Sequence, residues 1–233
     1  MSRITHLNTQ EKSVNPSTKF LEWKSEAKCF NYYDKSLVND SMTKEEKKEK
    51  GNVPVPLPFK FLFINHYHTV KGYHDATSIG ILSNEVFYIG SEPVYVRTHK
   101  GLEIASGIYT ELKSTIEAAG GKYHRSIYVM LEDGSLANIQ VKGSVVREWS
   151  EFHKKNKKNL RNKWIEINEA NEEKKGRVSY SVPSFELGSD LTKAESSNAD
   201  LASNKLQIYM NEYFKKDVMK KEDVPMEESL DLF

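Results

Sequence analysis

The segment FKFLFINHYHTVKGY, residues 59–73, constrains the fold more tightly than any other part of the chain. Read with a period of two, it places Phe59, Phe61, Phe63 and Tyr67 on one face. Leu62, Ile64, His66, His68 and Val70 take the other. A strand that is apolar on both faces belongs at the centre of a sheet, or turns its second face to a ligand. Pro54, Pro56 and Pro58 hold the backbone extended on the way into it.

Shorter patterns surround this strand. From Phe20 to Tyr32, Leu21, Trp23, Ala27 and Cys29 alternate with Glu22, Lys24, Glu26 and Lys28, which reads as one half-buried strand with Cys29 an inert core thiol. The charge run TKEEKKEKGN, within 39–52, reads as a solvated loop or short helix. Residues 79–89 and 93–106 supply two strands separated by a turn around Gly90, Ser91 and Pro93. GIYTELKSTIEAAGG has Ile108, Leu112 and Ile116 at helical spacing, with Gly120 or Gly121 as the C-terminal cap. RSIYVMLEDGSLANIQVKG is a hairpin turning at Asp133-Gly134. Residues 144–158 form a helix with Val145, Val146, Trp149 and Phe152 on one stripe. Strands at 162–169 and 177–186 flank a turn, EEKKG.

The order strand–strand–strand–helix–strand–strand predicts a mainly β, α+β fold. Its specific form is an OB-fold-like Greek-key barrel elaborated with extra strands and helices. The domain plan is a mobile arm over 1–19, the body over 20–187, a linker over 188–221 and an acidic tail over 222–233. The linker is rich in Ser, Asp and Asn at 188–200 and then carries a short amphipathic helix with Leu206, Tyr209, Met210, Tyr213 and Phe214.

Composition removes several functions. One cysteine in 233 residues excludes an internal disulfide and a cysteine-rich zinc site. No run approaches 18 apolar residues and no signal-peptide core is present, so the chain reads as soluble and cytoplasmic, with no membrane partner. No G-x-x-x-x-G-K-[ST] loop exists for nucleotide hydrolysis. His66, His68 and His74, with Asp75, are the best candidates for a metal-dependent nuclease, yet no hydrolase motif surrounds them. Nothing assembles a nucleophile, a base and an orienting group, so the chain reads as a non-enzyme that needs no cofactor and no metal.

Charge points elsewhere. The formal net charge is only +1, from 34 basic and 33 acidic side chains. Residues 1–187 hold 28 Lys and Arg against 23 Asp and Glu, while residues 188–233 hold 6 against 10. Such a division, a basic body and an acidic end, suits a nucleic-acid partner that the average conceals. Single-stranded nucleic acid is bound by cations for the phosphates and open rings for the bases. The chain interleaves the two: Lys71 with Tyr73; Tyr95 with Arg97; Lys122, Tyr123, His124 and Arg125 with Tyr128; Lys142 with Arg147 and Trp149. In strand 125–131, inward Ile127, Val129 and Leu131 leave Tyr128 outward, where a base could stack.

The final segment EDVPMEESLDLF combines acidity, a proline and a last aromatic residue. Its acids can occupy a basic groove when no DNA is bound, and Phe233 can be offered to a partner's pocket. With an OB-fold body, a linker and this tail (Glu222, Asp223, Glu227, Glu228, Asp231, Phe233), the chain resembles the bacterial and phage single-stranded-DNA-binding proteins. The stretches LPFKFLFI, SNEV, AAGGKYHRSIYVML and GSVVREWSEF are similar to segments of phage-encoded proteins of that type. The resemblance implies sequence-nonspecific binding of single-stranded DNA in replication or recombination, with replication or recombination proteins recruited by the tail. A homo-oligomer is compatible with it. The alternative from another class is an assembly protein that docks through helix 205–215 and the tail.

Overall fold

The computed structural model describes residues 14–222, with side chains up to residue 214. Its first strands, β1 (Lys19–Lys24) and β2 (Cys29–Tyr33), form a hairpin and not the single strand expected. The chain reverses at Ser25–Lys28, where Lys28 takes a positive φ of 49°, without the Gly, Pro or Asn that marks most turns. Helix α1 (Lys44–Gly51) is the charge run, started by a reciprocal Thr43–Glu46 capping box. After β3 (Asn52–Val55) comes β4 (Phe59–His74), sixteen residues long, then β5 (Ile79–Leu82), β6 (Pro93–Thr98) and β7 (Glu103–Ile108). The expected strand 93–106 is thus itself a hairpin. Helix α2 (Tyr109–Ala118) stops at Gly120, whose φ of +93° only glycine adopts freely. The hairpin β8 (Gly121–Leu131) and β9 (Leu136–Lys142) turns at Asp133–Gly134, with the Asp133 carboxylate accepting from Ser135 N at 2.9 Å.

Helix α3 (Ser144–Asn156), β10 (Lys163–Ile167), β11 (Ala170–Lys175), β12 (Val178–Pro183), β13 (Glu186–Asp190) and α4 (Lys193–Glu222) complete the fold. EEKKG is mostly strand β11, and the reversal falls after it, at Gly176. Residues 188–221, expected as a linker, are the end of β13 and most of α4.

The architecture is mixed α+β, mostly β. Eleven strands make one sheet in the order β3-β2-β1-β9-β8-β4-β5-β6-β7, with β10 pairing β4 and β13. No pairing joins β3 to β7, so the sheet is open and not a closed barrel. Two layers cover one face: α3 and the separate hairpin β11-β12 cover one end through Trp149, Val145 and Val182, and α2 covers the other through Ile116 and Tyr109. Helix α4 covers part of the opposite face, laying Ala202, Leu206 and Met210 on Leu62, Tyr67, Tyr128 and Trp164. No helix among the described residues is long and apolar enough to cross a membrane.

Strand β4 is central and two-faced, as its pattern implies, but not by simple alternation. Its register against β8 slips between Phe63 and Asn65. Such a bulge adds one residue and exchanges the faces beyond it. Tyr67 therefore joins Leu62 under α4, whereas His66, His68 and Val70 join Phe61 and Phe63 on the other face.

Candidate nucleic-acid interface

The bulge decides what the far end of β4 displays. Beyond it Lys71 and Tyr73 point to the α4 side of the sheet, in the part α4 leaves open. Directly paired residues of antiparallel strands share a face. Arg97 pairs with Leu82, Leu82 with Lys71, and Lys71 with Lys122, a row across β6, β5, β4 and β8. With neighbouring strands about 4.8 Å apart, this row spans roughly 14 Å. One step along the sheet, His124 pairs with Lys142. Tyr73 lies two residues beyond Lys71, and Tyr95 two before Arg97, so both rings share the face.

Six of the ten residues proposed for DNA contact are thereby on one surface: Lys71, Tyr73, Tyr95, Arg97, Lys122 and Lys142. Arg97, Lys122 and Lys142 are exposed, Lys71 and Tyr95 are half-buried, and Tyr73 is 52% exposed. Among the described residues none of the four cations forms an ion pair, although Glu103 is the cross-strand neighbour of Arg97. Burial pushes the Lys71 ammonium below its usual value. A cleft of about 360 Å³ opens beside Lys142, lined also by His124, Gln140, Glu22, Trp23 and Tyr180.

The other four are elsewhere. Tyr123 and Arg125 lie on the reverse face, where the Tyr123 hydroxyl meets His68 Nδ1 at 2.5 Å and Arg125 Nη1 donates to Ser150 Oγ at 3.1 Å. Tyr128 does point to the α4 side, but that part of the face is covered. It is 1% exposed and its hydroxyl donates to Glu85 Oε2 at 2.9 Å, so its ring is closed to a base. Trp149 is fully buried between Phe61, Phe63 and Phe185 and is a core residue, as its place on the α3 stripe dictates. Of the tail, Glu222 ends α4, and Asp223, Glu227, Glu228, Asp231 and Phe233 lie outside the described residues.

The histidines are rearranged as well. His66 and His68 are neighbours, with ring centroids 6.1 Å apart, but His74 stands six residues along the strand, about 20 Å away, bonded to Thr77 Oγ1 at 2.7 Å. The proposed His66–His68–His74 metal triad is not assembled. Among the described residues no three His, Cys, Asp or Glu converge to hold a metal ion.

Of two further polar residues on this face, sequence reasoning counted His124 among the interleaved contact residues and passed over Glu85. His124 is buried beside Lys142 and burial lowers its pKa to about 4. Glu85 lies between the cations and the α4 core, its carboxyl held above the usual range by burial despite the Tyr128 hydroxyl. Glu85 carries no spacing signal and is recognisable only once the strands are paired. No protein-family model matches the chain, and no curated protein or solved structure matches it.

Proposed function

We propose that this chain binds single-stranded DNA without sequence preference, on the open sheet face beside α4. The observation that carries the reading is the row Arg97–Leu82–Lys71–Lys122, extended by Lys142, with Tyr73 and Tyr95 on the same surface. Cations at strand spacing follow a phosphodiester backbone, and rings beside them accept bases of any identity through their π-faces. Each stacked base contributes roughly 1–3 kcal/mol in such grooves. Within the open sheet, the run β4 to β9, with α2 before the last hairpin and β4 paired to both β5 and β8, is the part compatible with an OB-fold-like origin.

The resemblance to phage and bacterial single-stranded-DNA-binding proteins extends the proposal. The protein would protect single-stranded DNA in the cytoplasm, a phage's host included, during replication or recombination, and recruit partner proteins through residues 222–233. It acts by binding and not by catalysis. Titrating the full chain into fluorescently labelled oligo-dT at low salt tests this. Saturable binding is expected, with log affinity falling linearly in log salt by about 0.7 per phosphate neutralised. Replacing both Lys71 and Lys122 by Ala should lower that slope by about 1.4. No binding at low salt, even after removal of residues 222–233, would overturn the proposal.

A further inference from the structure

The reverse face of the sheet carries a second basic group, and it holds no acid. Strand β4 contributes His66 and His68, β8 contributes Tyr123 and Arg125, and α3 contributes Ser150 and His153. The His66 and His153 rings lie 4.7 Å apart between centroids, and His66 and His68 lie 6.1 Å apart. All six side chains are half-buried, so the group is reachable from solvent. Its hydrogen bonding is incomplete. Arg125 Nη1 is engaged by Ser150 Oγ, whose own proton goes to Val146 O at 2.6 Å. Arg125 Nε and His66 Nδ1 are buried with no partner among the described residues.

A guanidinium taken partly out of water needs a counter-charge, and a buried N–H without an acceptor costs free energy. Arg125 hydrogen-bonds the neutral Ser150 and Tyr123 side chains, but its Nε has no acceptor and it forms no ion pair among the described residues. The charged neighbours that act on the three histidines are Arg125, Lys157 and one another. The other aromatic neighbours, Phe63 and Trp149 against the histidine rings and Tyr109 of α2 beyond Tyr123, bring no charge. What the group lacks is an acceptor-rich anion. A planar guanidinium fork matches a tetrahedral oxyanion, and imidazole N–H groups around it add donors.

We propose that Arg125, His66 and His153, flanked by His68 and Tyr123, form a binding site for a phosphate group, either free phosphate or the monoester at a nucleic-acid strand end. The site is on the face opposite Lys71 and Lys122 and does not depend on the DNA-binding proposal. Burial and Arg125 hold the neutral forms of His66 and His68, at about 3 and 4, and burial lowers His153 as well. A bound dianion reverses the sign of the local field, so binding is accompanied by proton uptake at these rings.

The test is titration of the full chain with sodium phosphate at constant ionic strength, following the histidine ring resonances by NMR. Saturable shifts of His66, His68 and His153 are expected, with a dissociation constant of roughly 1 mM or tighter. Arg125→Gln should weaken binding about tenfold or more. His153→Ala, on the half-exposed side of α3, should weaken it several-fold with an unchanged circular dichroism spectrum. Shifts that grow linearly without saturation would overturn the site, as would unchanged affinity in a folded Arg125→Gln. If Arg125→Gln does not fold, unchanged affinity in His153→Ala does so. Competition by oligo-dT carrying a 5′-phosphate, but not by its 5′-hydroxyl twin, assigns the strand end; competition by neither assigns free phosphate, and equal competition by both would overturn a site separate from the DNA-binding face. Oligo-dT binding on the opposite face should survive Arg125→Gln, so failure of one site is distinguishable from failure of the other.

Discussion

Three histidines, His124 buried and His66 and His68 half-buried, set the acid limit of this fold. Burial lowers His66 to about 3 and His68 and His124 to about 4, against an ordinary value of 6.5. The unfolded chain takes up these protons near pH 6.5 and the folded chain resists them. Their stabilising contribution is therefore complete above pH 6.5 and is lost as pH falls toward 4, by at most ~1.4 kcal/mol per pH unit for each ring. Glu85 has the opposite sign. Its raised carboxyl favours the fold below its ordinary value of 4.5 and loses that contribution as pH rises, so it offsets part of the histidine loss on acidification. The urea midpoint should fall between pH 7 and pH 5, and His124→Gln, which removes one titrating ring, should flatten the fall. Equal midpoints at the two pH values would show that burial of these rings is not what limits the fold in acid. Tyr128 gives a second residue-scale test. Tyr128→Phe takes the hydroxyl from the Glu85 carboxylate and should cost about 1–3 kcal/mol, leaving oligo-dT affinity unchanged because the ring lies under α4.

Among the elements, α4 turns a supposed linker into a cover for the sheet. Ala202, Leu206 and Met210 recur every four residues and bury one stripe on Leu62, Tyr67 and Trp164. Met210→Ala should destabilise the protein by about 2–5 kcal/mol, read by urea denaturation, while leaving the salt slope of DNA binding intact. Part of α4 was legible, as the amphipathic stripe Leu206, Tyr209, Met210, Tyr213 and Phe214, whereas its start at the reciprocal Thr192–Glu195 capping box lies in the stretch read as linker. The Ser- and Asn-rich stretch after it has low hydropathy and reads as loop because only one stripe is apolar. Strand β4, helices α2 and α3, and the Asp133–Gly134 hairpin were legible because each carries a period or a turn residue that local physics requires. The β1–β2 turn and the β4 bulge were not. Neither Ile64-Asn65 nor Ser25–Lys28 contains a glycine, and each is set by pairing with strands distant in sequence. Of the candidate site, the parity of Tyr95 and Arg97 could be read locally. That of Lys71 and Tyr73 could not, because it depends on the bulge.

For the whole molecule, the division of charge acquires a location. The cations Lys71, Arg97, Lys122 and Lys142, in no ion pair among the described residues, gather where α4 leaves the sheet open, and α4 runs on to Glu222, where the acid-rich end begins. Five acids and no base in residues 222–233 form a local charge opposite in sign to that face. Tethering raises their effective concentration near the cations, and between exposed charges the attraction is screened beyond about 10 Å at 0.1 M salt. If the acids compete with DNA for the same cations, removing residues 223–233 should tighten oligo-dT binding at low salt, and the gain should shrink as salt rises. Neutralising Asp223, Glu227, Glu228 and Asp231 to their amides should reproduce most of the gain, whereas Phe233→Ala should not. The readout is the dissociation constant of each variant across a salt series. Affinity that is unchanged on truncation at every salt concentration would remove the competition and leave the tail only its role toward partner proteins.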